Sequence, residues 1–132
     1  MQLRLAMCLA VACALGAQQL AAQDESRWVE VAADSTVVIS IDTVSVVPLG
    51  DSIYRVWERT LPRTSDRSPV LARADFDCGL RVTRTVEVSL AGRAPVPASN
   101  EEAQWVEILP GSPYEVELHH VCSRAGQPRA PR

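Results

Sequence analysis

The chain has 132 residues, 47% of them hydrophobic and 5% aromatic, with 13 Arg, no Lys and 16 Asp plus Glu, for a net charge of −3. A mildly acidic chain with no basic stripe argues against nucleic acid as a partner. No apolar run beyond the first 22 residues is long enough to span a membrane.

Residues 1–22, "MQLRLAMCLAVACALGAQQLAA", carry one Arg near the start, an apolar run from Leu5 to about Ala17, and small residues before Gln23. This is the pattern of a secretory signal peptide, with cleavage expected after Ala22 or a few residues earlier. A lipoprotein anchored at Cys13 is the weaker alternative, because "AVAC" lacks a large apolar residue at its head. The leader takes Cys8 and Cys13 with it and leaves Cys78 and Cys122. An even pair in a chain bound for an oxidising compartment reads as a disulfide, with two buried free thiols as the alternative. The remainder of the chain is long enough for one domain, expected over 23–122, and the tail 123–132 lacks apolar residues to bury and is expected to be disordered.

From Trp28 the chain reads as short strands: "WVEVA", "STVVISID" and "TVSVV", with the Pro-x-Gly-Asp cluster of "PLGDS" as a hairpin connection. "SIYRVWERTL" places Ile53, Trp57 and Leu61 on one face with Arg55 and Arg59 between them, and Tyr54 and Val56 on the other, so neither face is cleanly wet. After the loop "LPRTSDRSP", the segment 70–90 alternates. Its even positions are Val70, Ala72, Ala74, Phe76, Cys78, Leu80, Val82, Arg84, Val86, Val88 and Leu90, and its odd positions are mostly polar. This period predicts a half-buried antiparallel sheet with one wet face, and Gly79 is expected to mark a bulge or bend. "AGRAPVPASNEEAQ" reads as a loop and "WVEIL" as a last short strand. In "LPGSPYEVELHHVC", Tyr114, Leu118, Val121 and Cys122 form one helical stripe. Ser112 as N-cap, Pro113 at the first helical position and Glu115 as the partner of a capping box predict a helix from Pro113 to about Ser123.

The fold class expected is therefore α+β: an antiparallel β-sheet of about five or six strands with a C-terminal helix on its apolar face. Cys78 and Cys122 fall on the two apolar faces, so a bond between them would fasten the helix to the sheet. It would close a loop of about 45 residues, worth roughly 4 kcal/mol by the chain-entropy model.

The ordered set Trp28, "VISID" at 38–42, Ser45, Gly50, "VW" at 56–57, "DC" at 77–78, Trp105, "PGS" at 110–112 and "VC" at 121–122 resembles the surface-adhesin protein E family of bacterial envelope proteins. The resemblance covers about Trp28 to Cys122. It implies an antiparallel sheet with a disulfide-tied C-terminal helix, and an exported protein, with a dimer as one expectation, in a family named for an adhesin that binds extracellular-matrix and serum proteins. Any lysine-based ligand surface of the adhesin has no counterpart in this lysine-free chain.

The candidate sites are sparse. His119 and His120 are adjacent, point about 100° apart on a helix and cannot chelate a metal from one face. Asp75 and Asp77, near Arg73 and Arg81, read as a solvated sheet face rather than a catalytic carboxylate pair. No G-x-S-x-G turn or Gly-rich phosphate loop is present, so no catalytic residue, metal or cofactor is expected. Core packing is the favoured account of Trp28, Trp57 and Trp105, and the sharper one makes Trp57, flanked by Arg55 and Arg59, the anchor of a protein interface. Sheet edges add a homodimer or a captured peptide as expectations. The function expected is non-catalytic protein binding at the bacterial envelope, in the periplasm or at the cell surface. The alternatives are a periplasmic structural or accessory protein that holds an envelope partner, and a small secreted hydrolase, which would show a polar pocket with a perturbed acid or histidine.

Overall fold

A computed structural model describes residues 25–90 and 93–124. The expected leader and the tail beyond Arg124 lie outside the described residues. The strands are β1 (Trp28–Ala33), β2 (Val37–Asp42), β3 (Val47–Gly50), β4 (Ile53–Pro62), β5 (Val70–Asp77), β6 (Val82–Leu90), β7 (Val96–Pro97) and β8 (Val106–Glu107), followed by helix α1 (Pro113–Arg124). They form one antiparallel eight-stranded sheet whose path runs β1-β2-β4-β5-β6-β7, with β3 also paired to β4 and β8 to β6.

Residues directly opposite one another in an antiparallel pair share a face, so the register assigns both faces of the sheet. The row Val29, Ile41, Glu58, Ala72 and Val88 lies on one side, as do Val56 with Ala74 and Tyr54 with Phe76. This side carries the core: Ile41, Val56, Ala74 and Phe76 pack with Ile108 and with Leu118 and Val121 of α1. Arg55, Trp57, Arg59, Arg73 and Asp75 point the other way. The mixed pattern of β4 thus resolves in favour of its even positions, which face the helix.

Two turns depart from the expected positions. The β3–β4 hairpin turns at Asp51 and Ser52, both left-handed (φ 43° and 69°), with Gly50 and Ile53 paired across it. A two-residue loop of this hand matches the twist of the flanking strands, and Asp tolerates it. "PLG" itself belongs to β3, and residues 43–46 form the connection from β2. The segment 70–90 is two strands, and Gly79 sits in the hairpin turn between them rather than in a bulge within one. Asp77 Oδ1 accepts from Gly79 N, Leu80 N and Ser52 Oγ at 2.9, 3.0 and 2.9 Å. A Cβ on Gly79 would meet Ser52 Oγ at 3.1 Å and this same Asp77 oxygen at 3.3 Å, so a larger residue would have to displace these side chains by a few tenths of an ångström. The bulge of this hairpin lies further along, opposite Arg73 and Ala74. After the turn the facing parity changes: Thr83 and Thr85 oppose Phe76 and Ala74 on the core side, whereas Val82 and Arg84 oppose Asp77 and Asp75 on the other.

Helix α1 forms where its spacing predicts, but its first turn is capped differently. Ser112 Oγ donates to Leu109 O at 2.7 Å, and Glu115 Oε2 accepts from Gly111 N at 2.7 Å while Oε1 pairs with Arg81 at 2.9 Å. The reciprocal bond has moved back one residue, to the left-handed Gly111 (φ 78°). Tyr114, expected on the buried stripe, is 47% exposed, and Glu117 takes its place beside Leu118 and Val121. Cys78 and Cys122 are bonded, with Cα atoms 5.9 Å apart. The bond joins the β5–β6 turn to the last part of α1, at the end of the sheet rather than across the middle of its apolar face. Arg124 donates to Thr43 O at 3.1 Å and secures the same end of the helix to the β2–β3 connection.

Candidate binding surfaces

None of the three tryptophans belongs to the core, which overturns the core-packing expectation. Trp28 is paired with Asp42 on β1 and β2, and Trp57 with Arg73 on β4 and β5, both on the face away from α1. Trp105 flanks β8 and is 38% exposed. Each ring lies against a guanidinium: Arg59 is 4.4 Å from the Trp28 centroid, Arg73 5.5 Å from Trp57 and Arg84 4.5 Å from Trp105. Alternation puts these groups on one face, and cross-strand neighbours bring arginine to ring. Trp57 N also donates to Ser45 Oγ at 2.9 Å, which fixes the backbone beneath the ring to the β2–β3 connection.

The arginines are held by carboxylates. Arg59 makes two bonds to Glu25, at 2.8 and 3.1 Å, and Arg73 meets Glu87 at 2.9 Å. Arg55 and Arg84 both reach Asp75: Arg55 through Nε and Nη2 at 2.6 and 3.0 Å, Arg84 through Nε and Nη2 at 3.1 and 3.0 Å. Asp75 is 0% exposed, and Asp77 is also buried, so the solvated face expected for this pair is not found. The reason is length: two arginine side chains from the flanking strands fold over the short aspartate and take its hydration shell. Burial alone would raise the Asp75 carboxyl, but the bonds from Arg55 and Arg84 outweigh it and hold the pKa below the ordinary value. Arg55, Trp57 and Arg59, neighbours by alternation along β4, do share this face, although Trp57 stacks with Arg73 and not with either flanking arginine.

A second group lies on the opposite side of the sheet. Glu58 of β4 and Glu117 of α1 face each other between sheet and helix, and Glu117 is 1% exposed. Glu58 Oε1 and Glu117 Oε2 are sealed from solvent and have no other donor among the described residues. A proton held between the two carboxyls satisfies acceptor oxygens in that position. Burial pushes the Glu117 acid up to about 10, with the Glu58 charge and their mutual bond adding to it. Glu58 is raised by burial too, and is the acceptor, since the bond from Glu117 lowers it. Glu58 keeps its remaining exposure through a cavity of about 210 Å³ that Thr83, Thr85, Glu101, Glu102 and Tyr114 also line. Burial and the neighbouring Glu58 and Glu117 raise the Tyr114 hydroxyl. No sequence signal points to this pair: both glutamates sit at positions that pattern alone assigns to a mixed face and an exposed first turn.

His119 is exposed and His120 half-buried on α1. Among the described residues no group of three or more His, Cys, Asp or Glu is placed to hold a metal ion, and no helix is long and apolar enough to cross a membrane. Comparison of the chain with models of protein families, with curated proteins and with solved structures finds no match.

Proposed function

We propose that the chain is a non-catalytic, exported protein-binding domain of the bacterial cell envelope, of the surface-adhesin protein E type, that engages a protein partner through the Trp28–Trp57–Trp105 face. The observation that carries this reading is the placement of all three tryptophans outside the core, on the side of the sheet without the helix, each against an arginine. Trp and Arg are the residues most enriched at the energetic centres of protein interfaces. Arginines already fixed by Glu25, Glu87 and Asp75 lose little further side-chain freedom on binding. The Cys78–Cys122 bond and the leader pattern of residues 1–22 support export.

The test places a photo-crosslinking residue at Trp57 or Trp105 in the native host, with Val116 on the outer side of α1 as control. A discrete adduct from the tryptophan positions and none from Val116 is expected, and equal labelling from all three would sink the proposal. Protease treatment of intact and permeabilised cells then assigns the compartment. Digestion on intact cells supports adhesion, and protection until permeabilisation supports the accessory role in the periplasm.

The secreted-hydrolase reading gains one observation, the perturbed acid Glu58 at a polar cavity. Its proton partner Glu117 is sealed behind it, so only one of the two carboxyls can meet a substrate, and the binding reading is preferred.

A further inference from the structure

The Glu58 cavity lies on the helix-bearing side of the sheet, away from the tryptophan face, and has a chemistry of its own. Its polar lining is Glu58, Glu101, Glu102 and the hydroxyl-bearing Thr83, Thr85 and Tyr114. Glu102 is held ionised by the hydroxyl and backbone N–H of Ser99, at 2.8 and 2.9 Å. The one cationic residue along the wall, Arg84, has its guanidinium committed to Asp75 and Trp105 on the other face. The carboxyls therefore face the space without a cation. Glu117 is the proton-holding member of the pair and lies behind, so Glu58 is the carboxyl of the two that meets the cavity.

Burying a carboxyl pair costs several kcal/mol, and a pair of apolar residues would hold helix to sheet more firmly. Such a cost at the base of a cavity marks a binding site. We propose that this cavity binds a primary organic ammonium group, with Glu58 as its counter-charge. The oxygens of Thr85 and Tyr114 accept from its remaining N–H donors, and Ala74 and Val106 pack its carbon chain. An ammonium carries three donors on a narrow stem, which suits a pocket lined by acceptors better than a planar guanidinium does. The chain contains no lysine, so none of its own side chains carries this group. A free alkylamine and a lysine side chain of another protein offer the same chemistry.

The experiment is an amide NMR titration of the oxidised protein at neutral pH with n-butylammonium chloride and, separately, with a blocked Gly-Lys-Gly peptide. Saturable shifts at Thr83, Thr85 and Tyr114 are expected. Glu58→Gln should weaken binding by about tenfold or more, the usual scale of a lost charge-assisted contact. Glu117→Gln preserves the charge on Glu58 and should leave the affinity within a few fold, which separates loss of the counter-charge from disturbance of the helix. Tighter binding of the peptide assigns the site to a partner's lysine, and tighter binding of the amine assigns it to a small molecule. Absence of saturable shifts in a folded wild-type protein, or binding unchanged in Glu58→Gln, overturns the proposal. The tryptophan-face crosslinks report on the opposite surface and are unaffected by either result.

Discussion

Glu117 is the residue at which stability and charge conflict most directly. Its folded pKa lies far above that of a free glutamate, so the native state holds a proton that the unfolded chain releases above about pH 4.5. Stability contributed in this way is complete below the unfolded pKa and falls as pH rises towards the folded value. Glu117→Gln, which keeps the donor to Glu58 and cannot ionise, is expected to raise stability at neutral pH by about 1–3 kcal/mol and to flatten the alkaline decline. Urea denaturation of both proteins from acid to alkaline pH measures it, and a variant with an unchanged slope would show the pair to be ionised in the native state. Asp75 has the opposite sign. Its depressed pKa contributes stability present above the ordinary carboxylate range and lost as pH falls through the folded value. Asp75→Asn leaves Arg55 and Arg84 without their common counter-charge, and a loss of roughly 3 kcal/mol is expected. A midpoint within error of wild type would mean that the two arginines find solvent as readily as they find Asp75.

At the scale of elements, the disulfide holds α1 where its own apolar stripe is thin. Only Leu118 and Val121 are fully buried apolar residues on the helix, and a buried acid stands between it and β4. A Cys78→Ser/Cys122→Ser variant is expected to lose about 2–4 kcal/mol, with the helix amides losing their hydrogen-exchange protection before those of β4 and β5. Simultaneous loss of protection everywhere would make helix and sheet one cooperative unit. The helix, the strands and the bonded cysteines are legible in the sequence because each has a period or a parity: the stripe at Leu118 and Val121, the alternation of Ala74 and Phe76, the even pair left once the expected leader is set aside. The reversal after Gly79 is not legible. Alternation runs unbroken through "DCGL", so Val82 and Arg84 look continuous with Phe76, although the turn places them on the opposite face and the bulge beyond Thr85 returns Val88 to the core side. The ownership of β4's two faces is equally hidden, because Trp57 is a better core residue than Glu58 by type. Only the packing of Leu118 and Val121, from a helix distant in sequence, over Val56, Ala74 and Phe76 decides it.

For the whole molecule, the carboxyls divide into two populations. Those gripped by arginine or backbone N–H groups, Asp75 foremost, weaken the fold when acid protonates them, and the Glu58–Glu117 pair weakens it when base removes the shared proton. A single stability maximum on the acid side of neutrality, between about pH 4 and 6, is expected. A urea-midpoint profile that peaks above neutrality would contradict the sign of the pair. The same division separates the two proposed binding surfaces: arginine and tryptophan on one side of a single sheet, carboxyls and hydroxyls on the other.

The position of the disulfide in the chain also sets a path for mechanical load. Cys78 and Cys122 are 44 positions apart and enclose β6, β7, β8 and most of α1. Tension applied between the two ends of the chain passes through the sulfur bridge and never reaches the enclosed segment, which withholds on the order of 150 Å of extensible length. Strands β1 to β5 lie outside the bridge and can be peeled away in sequence. Under such end-to-end tension the domain would lengthen by its first half alone, and the enclosed half would keep its length.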